Sequence, residues 1–158
     1  MSDYAWREGA RQSIKFHEGF SASPYRDTEG FRTVGWGHLL TPDDAEYLLP
    51  ESASISLERA EDLFEQDFQR AIGDAMALVP TFGRLDAPIK IALTDMAFNL
   101  GRSRLGDFKN LLAELSLQNP RRSAVAEHML DSKWARQTGR RPGGLVDLIM
   151  GGPIPGSE

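Results

Sequence analysis

Apolar residues recur at helical spacing along most of the chain, and one short stretch departs from that rhythm. Trp6, Ala10 and Ile14 predict a first helix over about residues 4–18, with Gly19 as its terminator, which places Glu18 at the helix C-terminus. Between Pro24 and Leu40 the period changes: Tyr25, Phe31, Thr33, Val34 and Trp36 surround Asp27-Thr28-Glu29-Gly30, which reads as a turn between short strands. Ser56 reads as an N-cap, although Arg59 at the third helical position denies it a full capping box. From Leu57 to about Val79, Ala60, Leu63, Phe64, Phe68, Ala71, Ile72, Ala75 and Val79 form one apolar stripe, on a helix roughly 34 Å long at about 1.5 Å per residue, stopped by Pro80. Asp86 and Pro88 open a helix reaching Leu100, with Gly101 beyond it; its apolar face makes it the expected buried central helix. Shorter helices are expected around Phe108 to Leu115, from Ser123 to Trp134 and from Leu145 to Met150. Residues 151–158 have too little to bury and are expected to be mobile. The plan is thus an N-terminal lobe over about residues 1–56 with a hairpin, a linking helix over about 57–79 and a helical lobe over about 80–150. A cleft between lobes is a usual place for a ligand.

Composition adds bounds rather than identity. At 158 residues, 41% apolar and 26% charged, the chain is one soluble globular domain's worth. With no cysteine, neither disulfides nor a thiolate metal site is available, and His17, His38 and His128 show no ligand spacing, so no metal or cofactor is expected. Asp3, Arg7, Glu8 and Arg11 interrupt what a signal peptide needs as an apolar core, and no later segment approaches spanning length. The expectation is a protein with no membrane anchor, which something else delivers if its substrate lies outside the cytoplasm. The net charge of −5 is uneven: residues 1–100 hold nine Lys/Arg against seventeen Asp/Glu, residues 101–158 nine against six. Nucleic-acid binding is disfavoured, because the clearest basic clusters, Arg121-Arg122 and Arg140-Arg141, read as solvated faces rather than a stripe.

Candidate chemistry gathers in sixteen residues. Glu18 taken alone is a surface carboxylate, but the negative end of a helix dipole and the neighbouring Phe16 and Phe20 favour its neutral form, which suits a proton donor to a glycosidic leaving group. Asp27 taken alone is a turn residue and Thr33 a strand former; together with Glu18 they can face one small volume, an ionised Asp27 polarising a water that the Thr33 hydroxyl helps to orient. Gly35 and Gly37 make no dinucleotide fingerprint and mark a close backbone approach, to another strand or to an extended ligand. Asp67 lies near the apolar stripe of the long helix, where an unpaired charge is expensive, and His38 is its expected partner.

Several strings, in this order and spacing, resemble phage T4-type lysozyme over nearly the whole chain: His17-Glu18-Gly19, Tyr25 to Gly30, Thr33 to Thr41, Leu63 to Asp67, Ala92 to Gly101 and Ser132 to Thr138. The resemblance implies an α+β, mostly helical, two-lobed lysozyme-like fold. It further implies a muramidase that cleaves the β-1,4 bond between N-acetylmuramic acid and N-acetylglucosamine in peptidoglycan. Glu18 is then the general acid, and Asp27 with Thr33 activates water on the other face of the sugar, giving inversion. Leu39 and Phe98 are implied saccharide contacts, and Arg141 an implied partner of Glu18 whose charge would favour the ionised acid, against the dipole and burial. An endolysin of this kind is expected to be a monomer. It would accumulate in the host cytoplasm and reach the wall through a membrane lesion made by another protein, causing cell lysis.

The chain departs from the family pattern at Leu111 and His128, where small or amide side chains are expected, and at Gly143-Gly144, which replace a more basic stretch. Its acidic balance also differs from the basic surface that suits a wall rich in carboxylates. A tail-borne or secreted lysozyme is a second enzymatic context. A catalytically silent binding or scaffold module is the alternative of another class, against which the intact Glu18, Asp27 and Thr33 count.

Overall fold

A computed structural model describes residues 2–157; Met1 and Glu158, the outer ends of the expected N-terminal lobe and tail, lie outside the described residues. The elements run α1 (Asp3–Glu18), β1 (Ser21–Arg26), β2 (Arg32–Gly35), β3 (His38–Leu39), α2 (Leu57–Leu78), a 3-10 turn (Phe82–Arg84), α3 (Ala87–Gly106), α4 (Lys109–Leu115), α5 (Arg122–Leu130), α6 (Lys133–Gln137) and α7 (Arg141–Ile149). Among the described residues helices dominate, with one antiparallel sheet of order β1-β2-β3, an α+β and mostly helical fold as expected. Among the described residues, no helix is long and apolar enough to cross a membrane.

Two compact units divide the chain: Glu18–Gln69 in one, and residues up to His17 together with those from Arg70 onward in the other. In the first, the register Tyr25↔Thr33↔Leu39 puts three side chains in one row across the sheet, while Val34 and Leu40 turn to the opposite face and pack with Leu63 and Ile55. The strand pairing slips between Ser21 and Tyr25, and the Ala22 carbonyl accepts instead from the Ile55 amide at 2.8 Å. Ser56 caps α2, its hydroxyl accepting from the Arg59 amide at 3.0 Å.

The second unit is built around α3, in which Ile91 to Phe98 are all buried. Asp86 caps α3 through the Ile89 amide, and Gly101 breaks its helical path at φ 77° and ψ 170° before one further turn. Residues 123–134, expected as one helix, form two: Ser132 takes an extended conformation and caps α6 by accepting from the Ala135 amide at 3.0 Å. The last helix starts at Arg141, four residues earlier than its apolar pattern marks, because Pro142 suits a first turn. The tail, expected to be mobile, is folded against α1 within the described residues: Pro155 is buried and its carbonyl accepts from Gln12 Nε2 at 3.4 Å. Ile154 enters a notch at Gly9, where an added Cβ would lie 3.0 Å from its Cδ1.

Candidate functional site

Glu18, Asp27, Thr33 and Leu39 all belong to the unit Glu18–Gln69. Glu18 is the last residue of α1, and Gly19 at φ 68° terminates the helix directly behind it. Its carboxylate lies against the backbone of Gly37: a Cβ built there would stand 2.2 Å from Oε2. Gly37 itself has φ 71°, the left-handed region that favours glycine. The close approach at this glycine is therefore made by the candidate acid of the same chain. Gly35 meets Ala60 of α2, whose Cβ would be 3.7 Å from a Cβ at 35.

Asp27 is fixed by the turn it opens. Its Oδ1 accepts from the amides of Glu29 at 2.9 Å and Phe31 at 2.8 Å, while its own amide donates to the Phe31 carbonyl at 2.8 Å. Oδ2 has no hydrogen-bond partner among the described residues and is the oxygen left for a water. Thr33 is buried on β2; its hydroxyl donates to the Phe31 carbonyl at 3.0 Å, so its lone pairs remain as acceptors. The residue opposite Thr33, Tyr25, was missed by sequence reasoning. Burial raises the pKa of its phenol, and the negative charges of Glu18 and Asp27 add to that rise, so both carboxylates act on one hydroxyl. Leu39 is half exposed on the same row.

The expected pairing of Asp67 is present: His38 Nδ1 lies 2.7 Å from Asp67 Oδ2. A second carboxylate, Asp44, completes it at 3.0 Å from Nε2, and Asp44 also accepts from the Thr41 amide at 2.8 Å. Burial lowers the His38 pKa, but the bonds to and charges of Asp67 and Asp44 outweigh it and hold the ring above its usual value. Asp44 is pushed up by burial and pulled further down by the Thr41 amide and His38, so its net shift is downward.

In the other unit, Phe98 is 7% exposed on α3, and its carbonyl accepts from Arg70 Nη2 at 3.3 Å. Leu111 and His128 both line a cavity of about 470 Å³ together with Lys109, Lys133 and Trp134. Arg141 is buried, and its Nε donates to Asp95 Oδ1 at 2.6 Å. Sequence reasoning passed over Asp95; a carboxylate inside the apolar run Ile91 to Phe98 was the available signal.

Known proteins resemble the chain along most of its length. "Probable T4-type lysozyme 2" of Dictyostelium discoideum is 28% identical over 163 residues, covering 91% of this chain and 95% of that one. The pre-baseplate central spike protein Gp5 of Enterobacteria phage T4 is 26% identical over 161 residues, 90% of this chain and 28% of that one. The peptidoglycan hydrolase gp36 of Pseudomonas phage phiKMV is 27% identical over 128 residues, 81% of this chain and 14% of that one. The family model described as Phage lysozyme matches residues 15–147, a span that holds the α1 terminus, the whole sheet and every helix from α2 to α6. The chain belongs to the phage lysozyme family.

Proposed function

We propose that this protein is an endolysin-type muramidase that hydrolyses the β-1,4 bond between N-acetylmuramic acid and N-acetylglucosamine. The reading is carried by one observation: the Glu18 carboxylate rests on Gly37, in the same compact unit as an Asp27 whose Oδ2 is open to water. Glu18, in its acid form, gives its proton to the glycosidic oxygen as the C1–O bond breaks. Asp27 takes a proton from a water that attacks C1 on the opposite face, and the Thr33 hydroxyl accepts the water's second hydrogen. The sugar leaves with inverted C1, and exchange with solvent restores a protonated Glu18 and an ionised Asp27. Inversion requires the two carboxyl groups to stand about 6.5–9.5 Å apart, leaving room for the water. Leu39 and Phe98 carry over from the resemblance as saccharide contacts. Host lysis, action as a monomer and dependence on a separate membrane-lesion protein complete the proposal.

Clearing of a purified peptidoglycan suspension tests it. Wild-type protein clears the suspension, and Glu18→Gln slows it by about 10²–10⁴-fold, the contribution expected of a lost general acid. Equal clearing by both proteins refutes the acid role of Glu18; clearing by neither supports the silent scaffold. NMR of the first-formed muramic acid ends distinguishes the outcome at C1, with the α anomer expected from inversion of a β bond.

A further inference from the structure

We propose that Ser13, His17, Asp95 and Arg141 form a buried latch that positions Glu18, with His17 as its central positioning residue; this rests on the muramidase reading above. Asp95 is completely buried in α3, where an isolated carboxylate would be driven to its neutral form or to a partner. Three donors meet it. Ser13 Oγ donates to Oδ2 at 2.7 Å, His17 Nδ1 lies 2.9 Å from the same oxygen, and Arg141 Nε donates to Oδ1 at 2.6 Å. Arg141 Nη2 also donates to the Asp95 backbone carbonyl at 3.4 Å. Burial pushes the Asp95 carboxyl up, but the Arg141 charge and the bonds from His17 and Ser13 overcome it and keep the group ionised.

The arrangement acts on Glu18 through the chain. Ser13 and His17 are four residues apart and share one face of α1, so a single carboxylate oxygen pins the last turn of that helix. Helix ends fray, and here Gly19 ends the helix one residue after Glu18, so the direction in which Glu18 leaves the backbone is set by a turn that needs an external anchor. On its far side His17 faces α7: a Cβ at Gly144 would lie 3.6 Å from Nε2. The His17 side chain is only 6% exposed, and its Nδ1–H can donate to Asp95 in both the neutral and the protonated ring. Proton transfer demands such anchoring, since misplacing a reacting group by about 1 Å can cost about 10²-fold in rate.

His17→Leu, His17→Asn and Ser13→Ala test the latch. Leucine removes the donor while filling the space; the asparagine amide can donate where Nδ1 does. In folded His17→Leu, kcat on solubilised glycan is expected to fall about ten- to hundredfold with KM nearly unchanged, and His17→Asn to return within about threefold of wild type. Ser13→Ala, the milder cut should His17→Leu not fold, is expected to lower kcat by about threefold to tenfold in the same pattern. Unchanged kcat in a folded donor-deleted variant overturns the latch. If the wild type cleaves no glycan, the muramidase reading fails, and the ¹³C carboxyl resonance of Glu18 then decides: displacement in the donor-deleted variants but not in His17→Asn supports the latch, and coincident spectra overturn it.

Discussion

Gly37 carries the sharpest constraint on any single residue. Its φ of 71° already penalises a side chain, at roughly 1–2 kcal/mol for an L-residue in that region, and the Glu18 carboxylate occupies the space a Cβ would take. Gly37→Ala is therefore expected to lose stability by that amount and to lower turnover at least about tenfold by displacing the acid, measured by thermal melting and by peptidoglycan clearing. Loss of stability alone, with turnover intact, would separate the glycine from the chemistry. The same residue marks a limit of sequence reading: a glycine pair announces close approach, but not which group approaches. That Glu18, Asp27, Thr33 and Leu39 share one compact unit was legible because they crowd one short stretch; the setting of Asp95 was not, because its partners Arg141 and His17 lie 46 and 78 residues away.

At the scale of elements, the β2-β3 corner is held to α2 by charge. His38 joins Asp44, in the loop after β3, to Asp67 on α2, and its raised pKa makes the fold prefer the protonated ring. A group whose pKa is raised on folding contributes stability that is complete below its unfolded value, about 6.5, and disappears as pH climbs through the folded value. Asp44 has the opposite sign: its contribution is present above about 3.8 and is lost as pH falls through its depressed folded value. His38→Asn is accordingly expected to lower the melting temperature strongly near pH 6 and much less in alkali, by a few kcal/mol at most against about 3–5 for breaking a fully buried pair. Equal melting of the two proteins at pH 6 would remove the pair from the account. Helices with local signals were readable here: the caps Ser56 and Asp86 act within three residues of themselves. The break between α5 and α6 was hidden because the apolar spacing of Val125, Met129 and Trp134 runs across it, although Ser132 carried the cap.

For the whole molecule, charge and connectivity matter more than any one contact. With a net charge of −5, the protein meets a carboxylate-rich wall against mutual repulsion unless residues 101–158, with their excess of cations, face it. Screening length falls from about 30 Å to about 10 Å between about 10 and 100 mM salt, so clearing is expected to accelerate several-fold over that range and then level off. A rate that drops steadily from the lowest salt upward would instead indicate capture by the basic C-terminal part. The tail could not be read from composition, since its socket at Gly9 is formed by the opposite end of the sequence.

That socket has a temporal corollary. α1 leaves the ribosome before the groups that hold it, Asp95, Arg141 and Pro155, which all follow it in the sequence, whereas Glu18–Gln69 is a contiguous stretch of chain. The last turn of α1 thus lacks these partners until Arg141 and Pro155 have been made. Completion of α1 therefore waits on segments far downstream of it, while the sheet can form from neighbours already at hand.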